Sequence, residues 1–142
     1  KCVELAQKAA LEAGGKETHF KAIQLPFNLA MLEAALVKSQ KFMNNMLSAI
    51  ETAQALDLSV AVSVPLFQSR LCHGLPDFML DAFPQDLSQA HCAIAFASSW
   101  PGVDAIMVGM KQPEHVAHNL AFLKHPILSE HNLHEVIKSL NL

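Results

Sequence analysis

Three short apolar runs, spaced about 40 residues apart and each ending at a proline or a glycine, constrain the fold of this chain most strongly. They cover 20–25 before Pro26, 58–64 before Pro65 and 103–108 before Gly109. The second, LSVAVSVPL, is almost continuously apolar, which is typical of a strand buried on both faces. Helical periodicity fills the intervals and predicts the order α, β, α, β, α, β, α, α. This alternation predicts a parallel sheet with right-handed crossovers, either a small doubly wound sheet or part of a (β/α)8 barrel.

Start and stop signals place the helices. The first ends at Gly14 and Gly15. The second is predicted from one apolar face made by Met43, Met46, Leu47, Ile50 and Ala53. The third is capped by Asp86 or Ser88 and is broken by Pro101 and Gly102. The fourth begins at Pro113, and its apolar stripe consists of Val116, Leu120 and Leu123. The last helix begins after Ser129.

Length and hydropathy favour the barrel fragment. Of 142 residues, 51% are hydrophobic and 16% charged, and the mean hydropathy is +0.25. A soluble domain usually has about a quarter charged residues, so this chain has more apolar surface than one small domain buries. A full barrel takes about 250 residues. Residues 1–142 are therefore predicted to form a single partial domain of the α/β class, with three parallel strands and flanking helices of a (β/α)8 TIM barrel.

Charge and cysteine content narrow the range of partners. The net charge is −3 and the lysines form no basic stripe, so no nucleic-acid partner is expected. No apolar run approaches the roughly 20 residues that cross a bilayer, so no membrane association is expected. The three cysteines are an odd number without a CxxC pair, which favours a reducing, cytoplasmic location.

Candidate ligand-binding residues follow the three predicted strands, because ligands collect at the carboxyl ends of parallel strands. They are Gln24 at the first strand, Leu66, Gln68 and Arg70 after the second, and Gly109 and Lys111 after the third. Arg70 is the only arginine, and Lys111 stands just before a predicted helix N-terminus. Both could neutralise phosphate groups, although a solvated loop charge is the simpler interpretation of Arg70.

Three segments carry a resemblance to a known family. IQLPFNL, SVPLFQSRL and above all PGVDAIMVGMKQPEHVAHNL resemble the C-terminal half of aldo/keto reductases. The resemblance covers most of the chain, from the first helix to about Leu123. It implies strands six to eight of a (β/α)8 barrel, NADP(H) as the coenzyme, and hydride transfer to a small carbonyl substrate.

The resemblance also implies roles for individual positions. Gln24 matches the glutamine that binds the nicotinamide carboxamide, and Asn119 matches the asparagine that contacts adenine. Lys111 matches the basic residue near the ribose 2′-phosphate, and Gly109 the glycine that ends the last strand. Leu66, Gln68 and Arg70 match the loop that follows the pyrophosphate. His115 stands where the family usually has Arg or Gln, His118 replaces the usual Glu, and Ser63 replaces the aromatic residue that often stacks on nicotinamide.

The catalytic residues that the resemblance implies lie outside this chain. The family's catalytic Asp, Tyr, Lys and His belong to the first four strands, and this sequence contains no tyrosine. The chain is therefore expected to contain no catalytic residues and to be inactive alone. Its expected partner is the missing N-terminal half of the barrel, or another copy of itself. The alternative is a non-catalytic half-barrel that serves as a nucleotide-binding or protein-interaction module.

Two other chemistries are weaker interpretations. His115 and His118 with His131 and His134, or Cys72-His73 with His91-Cys92, could be drawn as a zinc site, but neither spacing fits the usual ligand pairs, so no metal is expected. Cys72 beside His73 could be a nucleophile, but no third orienting group is apparent. Cys92 is expected to be a small core residue.

Overall fold

A three-stranded parallel sheet lies at the centre of the computed structural model, which describes residues 1–125 and 127–140. The elements in chain order are α1 (Cys2–Glu12), β1 (Ala22–Pro26), α2 (Glu33–Leu36), β2 (Gln40–Phe42), β3 (Asn45–Leu47), α3 (Ala49–Ala55), β4 (Ser59–Ser63), α4 (Asp77–Leu80), α5 (Gln89–Ser99), β5 (Ala105–Met107), α6 (Pro113–Ala121), a 3-10 turn (Phe122–Lys124) and α7 (Glu130–Ser139). The sheet order is β1-β4-β5, which confirms the three predicted parallel strands.

The sheet buries one face and leaves the other open. On the packed face Val60 and Val62 of β4 are fully buried. On the opposite face Gln24 of β1 is exposed, and it is in register with Ala61 and, through it, Ala105. The prediction that the second strand is buried on both faces is therefore wrong. Among the described residues no element covers the face that would line the inside of a closed barrel.

Helix α5 forms the centre of the core. Every residue from 90 to 97 is buried, so the helix is enclosed on all sides rather than along one stripe. Phe96 packs against Phe27 and Trp100, with ring centroids 5.4 Å and 5.6 Å away. Ser88 accepts a hydrogen bond from the amide of His91 at 3.2 Å, which identifies Ser88 and not Asp86 as the helix cap.

The predicted second helix is wrong in its first half. Residues 40–47 form an antiparallel hairpin of β2 and β3, and Met43 at its turn has a left-handed φ of 52° and is 78% exposed. Helix α3 begins only after Ser48, which forms a capping box with Glu51. The five apolar residues at helical spacing are therefore divided between the hairpin and α3, because the capping box begins the helix at Ser48.

Other boundary signals in the sequence are confirmed. Gly102 follows Pro101 with φ +87°, and the amide of Val103 donates to the carbonyl of Trp100 at 3.1 Å. A Cβ added at Gly102 would lie 2.4 Å from Cδ of the exposed Gln54 side chain, which would have to move, and the left-handed φ itself favours glycine. Pro113 opens α6, and Ser129 caps α7.

The apolar stripe predicted on α6 faces outward. Val116, Leu120 and Leu123 are 38%, 53% and 75% exposed. Helix α1 likewise buries none of its residues. Among the described residues, no helix combines the length and the apolar character needed to cross a membrane.

Candidate functional site

A cavity of about 610 Å³ opens at the carboxyl ends of β4 and β5. Its walls come from the loop after β4, the start of α5, the loop after β5 and helix α6. The lining residues are Leu66, Ser69, Cys72, His73, Ser88, Gln89, Ala90, Gly109, His115, His118 and Asn119. No aspartate or glutamate is among them, so the site offers donors and imidazoles without a fixed negative charge.

The loop after β4 has an unusual backbone. Val64, Phe67, Gln68 and Ser69 have φ angles of 58°, 46°, 54° and 67°, although none is glycine. Left-handed backbone costs such residues about 1–2 kcal/mol each, so it persists only where the surroundings hold it. Here the fully buried Asn28 donates from Nδ2 to the carbonyl of Val64 at 2.9 Å. The loops after β1 and β4 are thereby joined.

This loop presents backbone donors beside the cavity. The amide of Phe67 donates to the carbonyl of Val64 at 2.9 Å, and that of Cys72 donates to the carbonyl of Ser69 at 3.2 Å. Within 1–125 and 127–140, no carbonyl accepts from the amides of Gln68 or Ser69. Successive free amides in a tight turn favour an anion.

The start of α5 forms the second wall. Gln89 accepts from the amide of Leu75 through Oε1 at 2.9 Å, which ties the end of the loop after β4 to this helix. Gln89 and Ala90 occupy the first turn, where helix amides have no carbonyl partner within the helix. The partial positive charge of the helix N-terminus therefore adds to the loop amides.

Two histidines join α5 to α6. The buried His91 places Nε2 2.8 Å from the carbonyl oxygen of His118, so this nitrogen carries the proton and donates it. The two rings stack with centroids 4.3 Å apart, and Nε2 of His118 lies 3.1 Å from the hydroxyl of Ser88. His118 stands at the position where the resemblance implies a glutamate. Its imidazole packs on α5.

Four residues named from the sequence meet in this cavity: Leu66, Gly109, His115 and Asn119. The other four lie outside its lining. Gln68 and Arg70 are exposed on either side of Ser69, and the Arg70 guanidinium lies 5.3 Å from the centroid of the Phe67 ring. Lys111 is exposed between Gly109 and α6.

Gln24 lies elsewhere than expected. It is the third residue of β1 rather than its last, and its exposed side chain belongs to the open face of the sheet. Ser63, at the end of β4, is in register with Pro26 and Met107 on that same face. The coenzyme positions implied by the resemblance therefore fall on two surfaces, the cavity and the open sheet face.

Several lining residues were not proposed as ligand contacts from the sequence. They are Ser69, Cys72, His73, Ser88, Gln89, Ala90 and His118. The sequence marks Ser88 only as a candidate helix cap. It marks His118 only as a position that differs from the pattern implied by the resemblance. Ser69, Cys72 and His73 reach the cavity because of the left-handed turn, which no residue type in 64–69 announces.

Two of the three thiols have raised pKa values, which disfavours the reactive thiolate. Burial raises the pKa of Cys72, and it raises the pKa of Cys92 to about 11. Cys92 is 1% exposed, which confirms its place in the core, and Cys2, Cys72 and Cys92 are all free. In the part of the chain that the structure describes, no three His, Cys, Asp or Glu side chains converge as a metal would require.

The architecture is that of part of a (β/α)8 barrel. The chain is similar to aldo-keto reductase AKR11C1 from Bacillus halodurans, with a TM-score of 0.64 to its holo form and 0.61 to its apo form. Each match has 14% sequence identity and covers 93% of this chain, but only 45% and 46% of the reductase chain. This chain thus spans less than half the length of the proteins it matches, consistent with a C-terminal half. At this identity the likeness shows the fold alone.

The sequence comparisons add no family. No protein-family model and no curated protein matches the sequence.

Proposed function

We propose that this chain is the coenzyme-binding C-terminal portion of an NADP(H)-dependent, aldo/keto reductase-like oxidoreductase that reduces small carbonyl compounds. The observation that carries the proposal is the cavity at the carboxyl ends of β4 and β5. It brings together Leu66, Gly109, His115 and Asn119, four positions named from the resemblance, in a site without carboxylates. Ligands of (β/α)8 barrels bind at this end of the sheet.

The residues present fit the adenosine phosphate end of a dinucleotide. The volume of about 610 Å³ falls in the range of small-molecule sites. The loop amide of Ser69 and the first turn of α5 suit the pyrophosphate. The amide side chain of Asn119 can bind the adenine edge. Lys111, just before α6, adds positive charge for the ribose 2′-phosphate.

The nicotinamide end would rest on the open face of the sheet, where Gln24 is exposed. When bound, the coenzyme supplies a hydride for the carbonyl carbon. This chain's residues orient it. The resemblance assigns the proton for the carbonyl oxygen to a tyrosine, and the sequence has none, so the proton donor is proposed to lie outside this chain. The chain alone is therefore expected to bind coenzyme weakly and to reduce nothing, and a reducing, cytoplasmic location belongs to the same proposal.

The proposal is tested by titrating NADPH into the intact chain and following coenzyme fluorescence. Weak binding is expected, because half of the nicotinamide pocket is absent. Lys111→Glu and Asn119→Ala are expected to weaken it at least fivefold. Lys16 is an exposed lysine before β1, away from the cavity. Lys16→Glu makes the same charge change there and is expected to leave the NADPH dissociation constant within twofold of the wild-type value. Submicromolar binding that ignores the Lys111 and Asn119 changes would contradict the assignment.

The alternative function is a non-catalytic half-barrel that binds nucleotides or proteins. The outer edges of β1 and β5, which pair with no strand among the described residues, favour it. The coding sequence upstream of Lys1 separates the two functions. A Tyr, a Lys and a His at successive strand ends would support the oxidoreductase, whereas a start codon directly before Lys1 would support the module.

A further inference from the structure

Imidazoles are the only side chains in the cavity lining that change charge near neutral pH. His73, His115 and His118 line it, together with the Cys72 thiol, while the charges of Arg70 and Lys111 lie outside the lining. Imidazole ordinarily titrates near pH 6.5. The lining therefore holds three side chains that can take up a proton and none with a fixed charge.

We infer that a diphosphate-bearing nucleotide binds this cavity together with protons taken up by His73 and His115, so that its affinity rises as the pH falls. The inference rests on the proposed function and adds a pH dependence that a wall of arginine or lysine would not have. An anion favours the charged form of a nearby imidazole, and by linkage protonation strengthens binding of that anion.

The two histidines named are free to respond. His73 and His115 are exposed, and neither forms a side-chain hydrogen bond or an ion pair with another described residue. His118 is already engaged, since its ring stacks on His91 and faces the Ser88 hydroxyl. His73 and His115 are therefore expected to take up most of the protons.

The elements around the cavity carry few competing charges. The start of α5 contributes only Ser88, Gln89 and Ala90, and the loop after β5 contributes only Gly109. Burial raises the pKa of Cys72, so its thiol stays neutral over the range concerned. Two residues before Ser88, the Asp86 carboxylate lies 3.4 Å from Nδ1 of His125 and does not line the cavity. On α6, Glu114 precedes His115 but does not line the cavity.

NAD⁺ is the sharper probe, because its diphosphate bridge keeps its charge from pH 6 to pH 8. The 2′-phosphate of NADP⁺ itself titrates near pH 6, so it serves as the second ligand. Amide chemical shifts of the intact chain, titrated with each nucleotide at about pH 6 and about pH 8, give dissociation constants even in the millimolar range. NAD⁺ is expected to bind roughly tenfold more tightly at the lower pH.

Variants assign the effect to the cavity. His73→Gln and His115→Gln are each expected to reduce the ratio of the two dissociation constants, and the double variant to bring it within twofold of unity. His19→Gln removes one exposed imidazole outside the lining and is expected to keep the wild-type ratio. In the wild-type chain, NAD⁺ at about pH 6.5 should shift the Hε1 resonances of both histidines toward the protonated position.

The outcomes separate the two proposals. Binding of NAD⁺ with the same affinity at both pH values, or without movement of the two Hε1 resonances, overturns the proton coupling and leaves the coenzyme site standing. Absence of binding of either nucleotide at both pH values overturns the proposed function and the coupling with it. Should the double variant not fold, the wild-type resonances still decide the question.

Discussion

Nε2 of His91 donates a hydrogen bond to the backbone carbonyl of His118 over 2.8 Å, and the two imidazole rings stack with centroids 4.3 Å apart. The donor lies on the fully enclosed helix α5, and the acceptor lies on α6, which buries none of its own residues. The α6 wall of the candidate site is therefore attached to the core helix through a hydrogen bond and the stacking of two imidazole rings.

His91→Leu is expected to destabilise the chain by about 1–3 kcal/mol, since it leaves the carbonyl of His118 without its buried donor. His91→Gln places an amide nitrogen close to the position of Nε2 and is expected to recover most of that loss. Urea unfolding of the three proteins measures the difference. Equal stability of the two variants would show that the hydrogen bond contributes nothing beyond packing.

Asn28→Ala is expected to cost about 1–3 kcal/mol, because it removes the donor to Val64 and the acceptor at 2.9 Å for the amide of Ala30. It should also disturb the left-handed turn and weaken nucleotide binding. Asn45→Ala, on the exposed strand β3, is the matched control and is expected to change stability by less than about 0.5 kcal/mol. Similar unfolding midpoints for the two variants would contradict the structural role of Asn28.

Thiol alkylation is expected to follow burial. At about pH 8, iodoacetamide should label the exposed Cys2 first and the half-buried Cys72 more slowly, because burial raises the pKa of Cys72. Cys92, with a pKa of about 11, should react only after unfolding. Mass spectrometry of timed samples resolves the three sites. Labelling of Cys72 ahead of Cys2 would revive the nucleophile interpretation.

Glu51 is expected to stabilise α3 at neutral pH and to lose this effect in acid. The Lys38 side chain, and then the amide of Ser48, lower the pKa of Glu51 below its ordinary value of 4.5. A lowered pKa gives stability that is present above 4.5 and lost as the pH falls through the lowered value. Because the Glu51 side chain is 41% exposed, solvent screening limits the effect to about 1 kcal/mol.

The matching measurement compares wild type with Glu51→Gln by thermal unfolding. The wild type should be more stable at about pH 7, and the difference should shrink as the pH falls below the ordinary value of 4.5. Glu12→Gln, which breaks only the exposed pair with Lys8, provides the control and is expected to change little at either pH. A difference for Glu51→Gln that persists unchanged in acid would rule out the ionic contribution.

Light scattering of the isolated chain is expected to show dimers or larger species. The open sheet face, the edges of β1 and β5, and the outward residues Val116 and Leu120 of α6 leave apolar surface and unpaired backbone exposed. Val116→Lys with Leu120→Lys should reduce the association. A monomeric wild type over the concentration range of the experiment would mean that these surfaces do not associate.

Sequence reasoning succeeded where a signal is local. Pro101 and Gly102 mark a turn by their own backbone preferences, and Ser129 marks a helix start by its hydroxyl. The helix predicted from periodicity over 43–53 was wrong in its first half. The spacing of apolar residues carries no information on the capping box of Ser48 and Glu51, which begins the helix. For the site, the end of the second predicted strand led to Leu66 and the family resemblance to His115, whereas the contribution of the N-terminal turn of α5 depends on packing.

The sequence by itself determined the alternation of strands and helices, the parallel sheet, the absence of tyrosine and the positions that resemble coenzyme contacts. Only the tertiary structure decided that half of those positions share one cavity and that Gln24 lies on the open face instead. It also decided that the loop after β4 turns through left-handed backbone held by Asn28, and that His118 packs on His91. These features arise from contacts between residues 27–36 positions apart, such as Asn28 with Val64, and such contacts leave no periodicity or capping signal in the local sequence.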